Sequence, residues 1–272
     1  MDGLIFAGGI AYFGAVALYF SAANNDREAT ILKSVARVNQ LKDLSQLLDA
    51  ERLPLLVTIS GQVASENPIK CEITGLKGVI VEERVEQLYL KKEEKCKCAI
   101  KQKKKCNDAD FWTLHSEPPD SWTQHSKFIS RNAKEVPWYL DDGTDRVHVA
   151  GARGATAFVY PVARSKFDAS GQTLVCDTMD SRRDKKILGL KRIEWVLPVG
   201  FVLTVVGEAS KDDDGSVRIQ RPREGPFYVS YKTIDELIAN FENFARWCIY
   251  ISVGLTVIGT SLIAACVIES QG

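Results

Sequence analysis

Cys96, Cys98 and Cys106 make a C-x-C-x7-C pattern, with His115 nine residues further on. Such soft donors are zinc ligands, but a tetrahedral site wants four of them, usually as two close pairs, and only one close pair is present. The spacing therefore points away from a metal centre. The same stretch, Lys91 to Lys105 (KKEEKCKCAIKQKKK), holds eight lysines and two glutamates, a local charge of +6. A patch of that kind could hold an anionic head group or phosphate, although like charges also keep a plain loop extended and wet, which is the reading preferred here. His125 and His148 have no nucleophile motif around them, and His148 lies between Val147 and Val149 as a sheet residue would. Gly151-Ala-Arg-Gly154-Ala lacks the Lys-Ser or Lys-Thr of a phosphate loop and reads as a turn. Asp212-Asp-Asp-Gly215 is too short for a calcium loop and reads as a hairpin tip. No catalytic, cofactor-binding or metal-binding residue is assigned, and no acid, base and nucleophile set supports an enzyme acting on a lipid or small molecule.

These residues sit in a chain of 272, of which 45% are apolar, and 35 basic residues balance 35 acidic ones. Such apolar content excludes disorder as the main state, and zero net charge leaves no field to hold nucleic acid. Seven cysteines, an odd number irregularly spaced, do not suit a disulfide scaffold. The apolar residues gather at the ends. Gly3–Ala23 and Trp247–Ile268 are uncharged over 21 and 22 residues, each long enough at ~1.5 Å per residue to cross the ~30 Å hydrocarbon layer. Ser21-Ala22-Ala23 resembles a signal-peptide cleavage site, but the only side-chain charge ahead of it is Asp2, so the segment is read as a retained span. Two crossings put both termini, including the tail 269–272, on one side and residues 24–246 on the other. Arg27, Lys33, Arg37 and Lys42 follow the first span, a charge bias that favours a cytosolic middle domain.

The fold class expected is α+β: a β-rich, antiparallel or barrel-like domain flanked by two transmembrane helices. Ile31, Leu32, Val35, Val38, Leu44, Leu47 and Leu48 predict one or two amphipathic helices that end near Leu53-Pro54. Strands are predicted at 55–60, 78–82, 87–90, 146–149, 156–159, 201–206, 217–219 and 227–230. Asp-Gly turn chemistry at Gly143 and Gly215 marks hairpins. Val57-Thr-Ile-Ser-Gly-Gln-Val63 and Leu203-Thr-Val-Val-Gly-Glu-Ala209 are alike in layout and suggest a duplicated sub-barrel. Thr233-Ile-Asp-Glu236 fits a capping box ahead of a helix with Ile234, Leu237, Ile238, Phe241 and Phe244 on one face, lying against the sheet or the membrane surface.

Several strings occur in order between the two spans. They are Glu135-Val-Pro-Trp-Tyr-Leu-Asp-Asp-Gly-Thr144, Arg146-Val-His-Val-Ala-Gly-Ala-Arg-Gly-Ala155, Gly189-Leu-Lys-Arg-Ile-Glu-Trp-Val-Leu-Pro-Val-Gly200, Leu203-Thr-Val-Val-Gly-Glu208 and Gly225-Pro-Phe-Tyr-Val-Ser230. The arrangement resembles the GIDE, or "beside a membrane", domain of MULAN/MAPL-type RING E3 ubiquitin ligases, and the plant branch of mitochondrial and chloroplast outer envelopes most of all. The resemblance implies an outer-membrane anchor that recognises membrane-protein substrates and organises the organelle, with residues 24–246 in the intermembrane space, against the charge bias. It also implies a cytosolic RING holding two zinc ions and recruiting an E2. Only Glu269-Ser-Gln-Gly272 follow Ile268, so no RING ligand can be assigned here and E2 binding is expected only where a RING is supplied elsewhere. These 272 residues alone are accordingly expected to build no ubiquitin chain. The competing reading is a RING-less interaction protein that pairs with intact relatives, helped by Gly8, Gly9, Gly14, Gly254 and Gly259, which permit close helix approach in homo- or hetero-oligomers without forming GxxxG.

Overall fold

A computed structural model describes residues 2–51, 55–92, 122–169, 185–212 and 215–271. In chain order the elements are α1 (Asp2–Ser34), β1 (Ala36–Arg37), α2 (Leu41–Glu51), β2 (Leu55–Ala64), β3 (Ile69–Lys70), β4 (Lys77–Lys92) and β5 (Trp122–Glu135). There follow β6 (Tyr139–Asp141), β7 (Arg146–Val149), a 3-10 turn (Ala152–Gly154), β8 (Val162–Ala169), β9 (Lys185–Pro198), β10 (Val202–Lys211), β11 (Val217–Gln220), β12 (Tyr228–Ser230) and α3 (Ile234–Gln271). The chain is α+β and forms two compact units, one of residues 1–67, 137–159 and 199–272, the other of 68–136 and 160–198.

The first unit contains a closed barrel. β2 pairs antiparallel with β6, β6 with β7, β11 with β10, and β10 back with β2, while β7 and β11 run parallel. Five strands in the order 1-2-3-5-4-1 make a Greek-key barrel of the OB type. Period-2 patterning fills its interior: Val57, Ile59, Val63, Leu140, Val147, Val205, Ala209 and Ile219 are all buried. Leu41, Leu44 and Leu48 bury one face of α2 against β2, β7 and β10. The second unit enters as two excursions, one between the first and second barrel strands and the other between the third and fourth.

The two look-alike segments are not separate sub-barrels. They are direct partners in one barrel, with Val57 opposite Gly207, Ile59 opposite Val205 and Gly61 opposite Leu203. Equivalent positions therefore exchange about a local twofold axis at the Ile59/Val205 pair. The glycines obey the same symmetry. A Cβ on Gly61 would lie 3.1 Å from Leu140 Cβ and 3.2 Å from the Asp141 nitrogen, and one on Gly207 would lie 2.8 Å from the Gln220 carbonyl and 3.0 Å from Ile219 Cγ1. Leu140 pairs with Val63 and Ile219 with Ala209, in each case two residues beyond the glycine. At both places the absent side chain lets a neighbouring strand cross closely.

The second unit is an antiparallel sheet in which β4 pairs with β9 along one edge, with β3 and then β5 along the other, and β8 flanks β9. The two strands expected at 78–82 and 87–90 are one 16-residue strand, β4. Its charged middle stays in the ladder because the charges are paired: Arg131 meets Glu82 at 2.6 Å and Arg84 meets Glu86 at 2.7 Å. β5 and β8 were not expected, since strands exposed on both faces carry little apolar alternation. The strand expected at 156–159 is absent. Thr156 makes a single bridge to Tyr228, and Ala157 at φ 62° turns the chain out of the ladder. Of the one or two helices expected ahead of Leu53-Pro54, two form: α1, continuous with the first apolar span, stops at Ser34, and α2 runs Leu41–Glu51; Leu53 and Pro54 lie outside the described residues.

Candidate functional site

Two helices, α1 and α3, are long and apolar enough to cross a membrane. They run antiparallel, and the seam between them follows from residue size. Gly8, Ala15, Ala22 and Ala29 recur every seven residues on α1, and Ile238, Ala245, Ser252 and Gly259 do so on α3, all buried. A seven-residue spacing keeps one stripe facing a left-handed antiparallel partner. Gly8 faces Gly259, where a Cβ on either would come within 3.2 Å of the other's carbonyl oxygen. Ser252 Oγ donates a buried hydrogen bond to the Ala15 carbonyl at 2.8 Å. Ala22 packs with Ala245 and Cys248. Of the glycines expected to favour helix approach, Gly8 and Gly259 form the seam and Gly14 meets Leu255, whereas Gly9 and Gly254 face open space.

The opposite faces are greasy and exposed. Tyr19 and Phe20 on α1, in edge-to-face contact at 6.2 Å, and Trp247 and Tyr250 on α3 lie within about one helical turn of the same level. Aromatic rings of this kind mark a membrane–water boundary. Beyond them neither helix breaks. α1 continues through Asn24–Ser34, and α3 starts at Ile234, so the segment expected to lie on the sheet or the membrane surface is the first part of one long helix and does pack on the sheet. Its capping box forms as expected: the Thr233 N–H donates to Glu236 at 2.9 Å and the Glu236 N–H to Thr233 Oγ1 at 3.3 Å.

The helix pair and the barrel share a core. Ala29 and Leu32 from α1, Val35 just beyond its end, and Ile234, Leu237 and Ile238 from α3 pack on Val206 and Tyr228 of the barrel wall, with Leu56 and Phe241 at the margin. Each large side chain buried here contributes about 1.5–3 kcal/mol. Polar clamps surround it. Lys33 meets Glu242 at 2.6 Å, Arg37 meets Asp235 at 2.8 Å, and the Tyr228 hydroxyl donates to Glu28 at 3.0 Å. Burial first, then the bond and charge of Glu28, push the Tyr228 hydroxyl above the usual tyrosine range, so it stays a donor.

The residues singled out for chemistry do not converge. Lys91 lies in β4, but Cys96, Cys98, Cys106, His115 and the rest of the lysine run are outside the described residues. His125 stacks on Tyr89 at 5.7 Å and shares a hydrogen bond with Thr123, and His148 meets the Tyr139 ring edge-on at 5.8 Å. Gly151 at φ 70° opens the expected turn, and Asp212 closes the expected hairpin tip through Gly215 and Arg218. In the second unit Glu82 is buried and takes two bonds from Arg131 and one from Tyr160, while buried Glu194 caps the backbone N–H groups of Glu72, Ile73 and Thr74. Burial pushes the Cys71 thiol up, which keeps it from acting as a thiolate. No cluster of His, Cys, Asp and Glu suited to a metal occurs among the described residues.

The arrangement is a pair of long apolar helices packed on a barrel wall, and comparisons with known proteins give its family. The family described as GIDE, E3 Ubiquitin ligase, matches residues 113–265. The chain is 48% identical over 258 residues to the E3 ubiquitin-protein ligase SP1 of Arabidopsis thaliana, covering 94% of this chain and 68% of that protein. The chain belongs to the GIDE family of E3 ubiquitin ligases. A second relative, the E3 ubiquitin-protein ligase SPL1 of Arabidopsis thaliana, is 40% identical over 266 residues, 97% of this chain and 71% of that protein. The GIDE-family likeness extends to the Mitochondrial E3 ubiquitin protein ligase 1 of Drosophila melanogaster, 28% identical over 156 residues, 57% of this chain and 43% of that protein. No solved structure matches the GIDE chain described here.

Proposed function

We propose that this chain is the anchoring and substrate-recognising part of ubiquitin-ligase machinery in an organelle outer membrane, mitochondrial or chloroplast, with its head in the intermembrane space. The observation that carries the reading is the pair of unbroken helices, each long and apolar enough to cross a membrane, that bury their far ends in the barrel wall. A head held this way has a fixed height and orientation, which brings it repeatedly against neighbouring membrane proteins and raises their effective concentration. Ubiquitin transfer would draw on an E2 through a RING module, which none of the described elements supplies. The small residues that could have served pairing with another copy are largely spent on the internal seam, which favours this reading over an interaction protein acting by pairing with relatives.

Alkaline carbonate extraction and protease protection of isolated organelles test it. The chain is expected to stay in the membrane pellet, with residues 35–233 shielded from protease added outside. Release into the carbonate supernatant would overturn the anchor, and cleavage of the head on intact organelles would overturn its compartment.

A further inference from the structure

At the level of the aromatic rings the seam opens into a groove of about 410 Å³ on one side of the helix pair. Its floor is made of small side chains, Ala22, Ala23 and Ala245, and Tyr19 and Ile249 stand at its apolar end. At the head-side end the lining changes to Asp26, Glu242 and Arg246. Glu242 is engaged by Lys33 at 2.6 Å, which leaves Arg246 only a long 3.4 Å contact to it. Lys33 and Arg246 against Glu242 and Asp26 sum to no net charge, so the groove offers a separated cation and anion rather than a field of one sign.

The order of those charges is informative. Because Ala22 packs with Ala245, Arg246 stands level with Ser21, five residues and about 7 Å closer to the hydrocarbon than Asp26. A zwitterionic phospholipid has the same polarity, its phosphate next to the acyl chains and its amine farther out. The chains would run over the alanine floor past Tyr19 and Ile249, where a larger residue would exclude them.

We propose that this groove binds a zwitterionic phospholipid, with the phosphate on Arg246 and the amine beside Asp26. The proposal rests on the membrane reading above. A bound lipid would fill this opening in the helix pair at the boundary, and would fasten the two helices in their register.

The test is native mass spectrometry of the full chain in detergent, titrated with dioleoylphosphatidylcholine or dioleoylphosphatidylglycerol. Phosphatidylcholine is expected to be retained about fivefold more tightly than phosphatidylglycerol. Ala23→Trp, an exposed position that fills the groove, and Arg246→Glu should each weaken phosphatidylcholine binding by about fivefold or more, and Asp26→Lys should turn the preference toward phosphatidylglycerol. Equal retention of the two lipids, or undiminished phosphatidylcholine binding by Arg246→Glu, overturns the proposal. The charge substitutions are at exposed sites and decide the matter even if Ala23→Trp disturbs the helices. Carbonate extraction separates the two levels: a chain that stays in the membrane but shows no lipid preference loses the groove and keeps the anchor.

Discussion

The carboxylate of Asp142, in the turn between β6 and β7, accepts a hydrogen bond from the Leu41 N–H, 101 residues away, at 2.8 Å. That N–H belongs to the first residue of α2 and has no partner within its own helix. The neighbouring Thr144 hydroxyl takes the Lys42 N–H at 3.3 Å, so a barrel hairpin caps a helix from which it is separated in sequence by β2 and the first excursion.

Asp142→Ala is expected to destabilise the first unit by about 1 kcal/mol, read by chemical denaturation of the detergent-solubilised chain. Desolvation works against ionisation of this carboxyl, but bonds from the Thr144 hydroxyl and from the Leu41, Thr144 and Asp145 N–H groups outweigh it and hold it at about 2. A depressed carboxyl contributes stability above its unfolded value, and that contribution drains away as pH falls through the folded value. Wild type should therefore lose its advantage over Asp142→Ala between about pH 4 and pH 2. An advantage that persists below that window would mean the charge is not what caps α2.

Gly259→Leu should splay the helix pair, because the added Cβ starts 3.1 Å from the Gly8 carbonyl oxygen. Gly254→Leu, with nothing within 4 Å, should leave it intact. Thermal scans in detergent should separate them by several degrees, since overpacking of this kind costs about 1–3 kcal/mol. Ser252→Ala removes a single interhelical bond and should cost about 0.6 kcal/mol.

Gly207→Ala and Gly61→Ala test the local twofold. Both should destabilise the barrel by about 1–3 kcal/mol, Gly207→Ala more, because its Cβ would meet a backbone carbonyl at 2.8 Å whereas the nearest atom to that of Gly61 lies at 3.1 Å. Denaturation midpoints of the two variants against wild type provide the measurement. Indifference at either site would show that the close crossing is not required.

Arg131→Ala should unsettle the second unit, since it removes the two charge-assisted bonds that the buried Glu82 carboxylate accepts from the guanidinium. Stability is expected to fall, and Arg131→Ala combined with Glu82→Gln should recover part of the loss. Hydrogen exchange along β4 and β5 would localise the effect; equal protection in wild type and variant would assign the pair no role.

Where patterning followed burial, the sequence was readable. β7 was expected at its observed limits because Val147 and Val149 alternate with exposed Arg146 and His148, and the turns at Gly143 and Gly215 announced themselves through positive φ. β5 and β8 were not, since Trp122–Glu135 pairs along only one edge among the described residues and lies mostly open to solvent, so nothing in its side chains records the ladder. The seam between the helices was legible in principle. Small residues at every seventh position from Gly8 to Ala29 and from Ala245 to Gly259 spell it out, but a search for the four-residue interval of GxxxG passes over them. The core at Val206 and Tyr228 was legible only in part: Ile234, Leu237 and Ile238 follow closely and showed an apolar face, whereas Ala29, Leu32 and Val35 lie far ahead in sequence and gave no sign of where they pack.

The excursions that interrupt the barrel set a timetable for its birth. β2 must pair with β10, from Leu55 opposite Ala209 onward, and the ribosome needs about 10–30 s to deliver the intervening chain. Throughout that interval the first helix is already made while its landing place on the barrel wall does not exist. Until β10 and β12 emerge, Ala29, Leu32 and Val35 of the nascent chain have no wall to cover them.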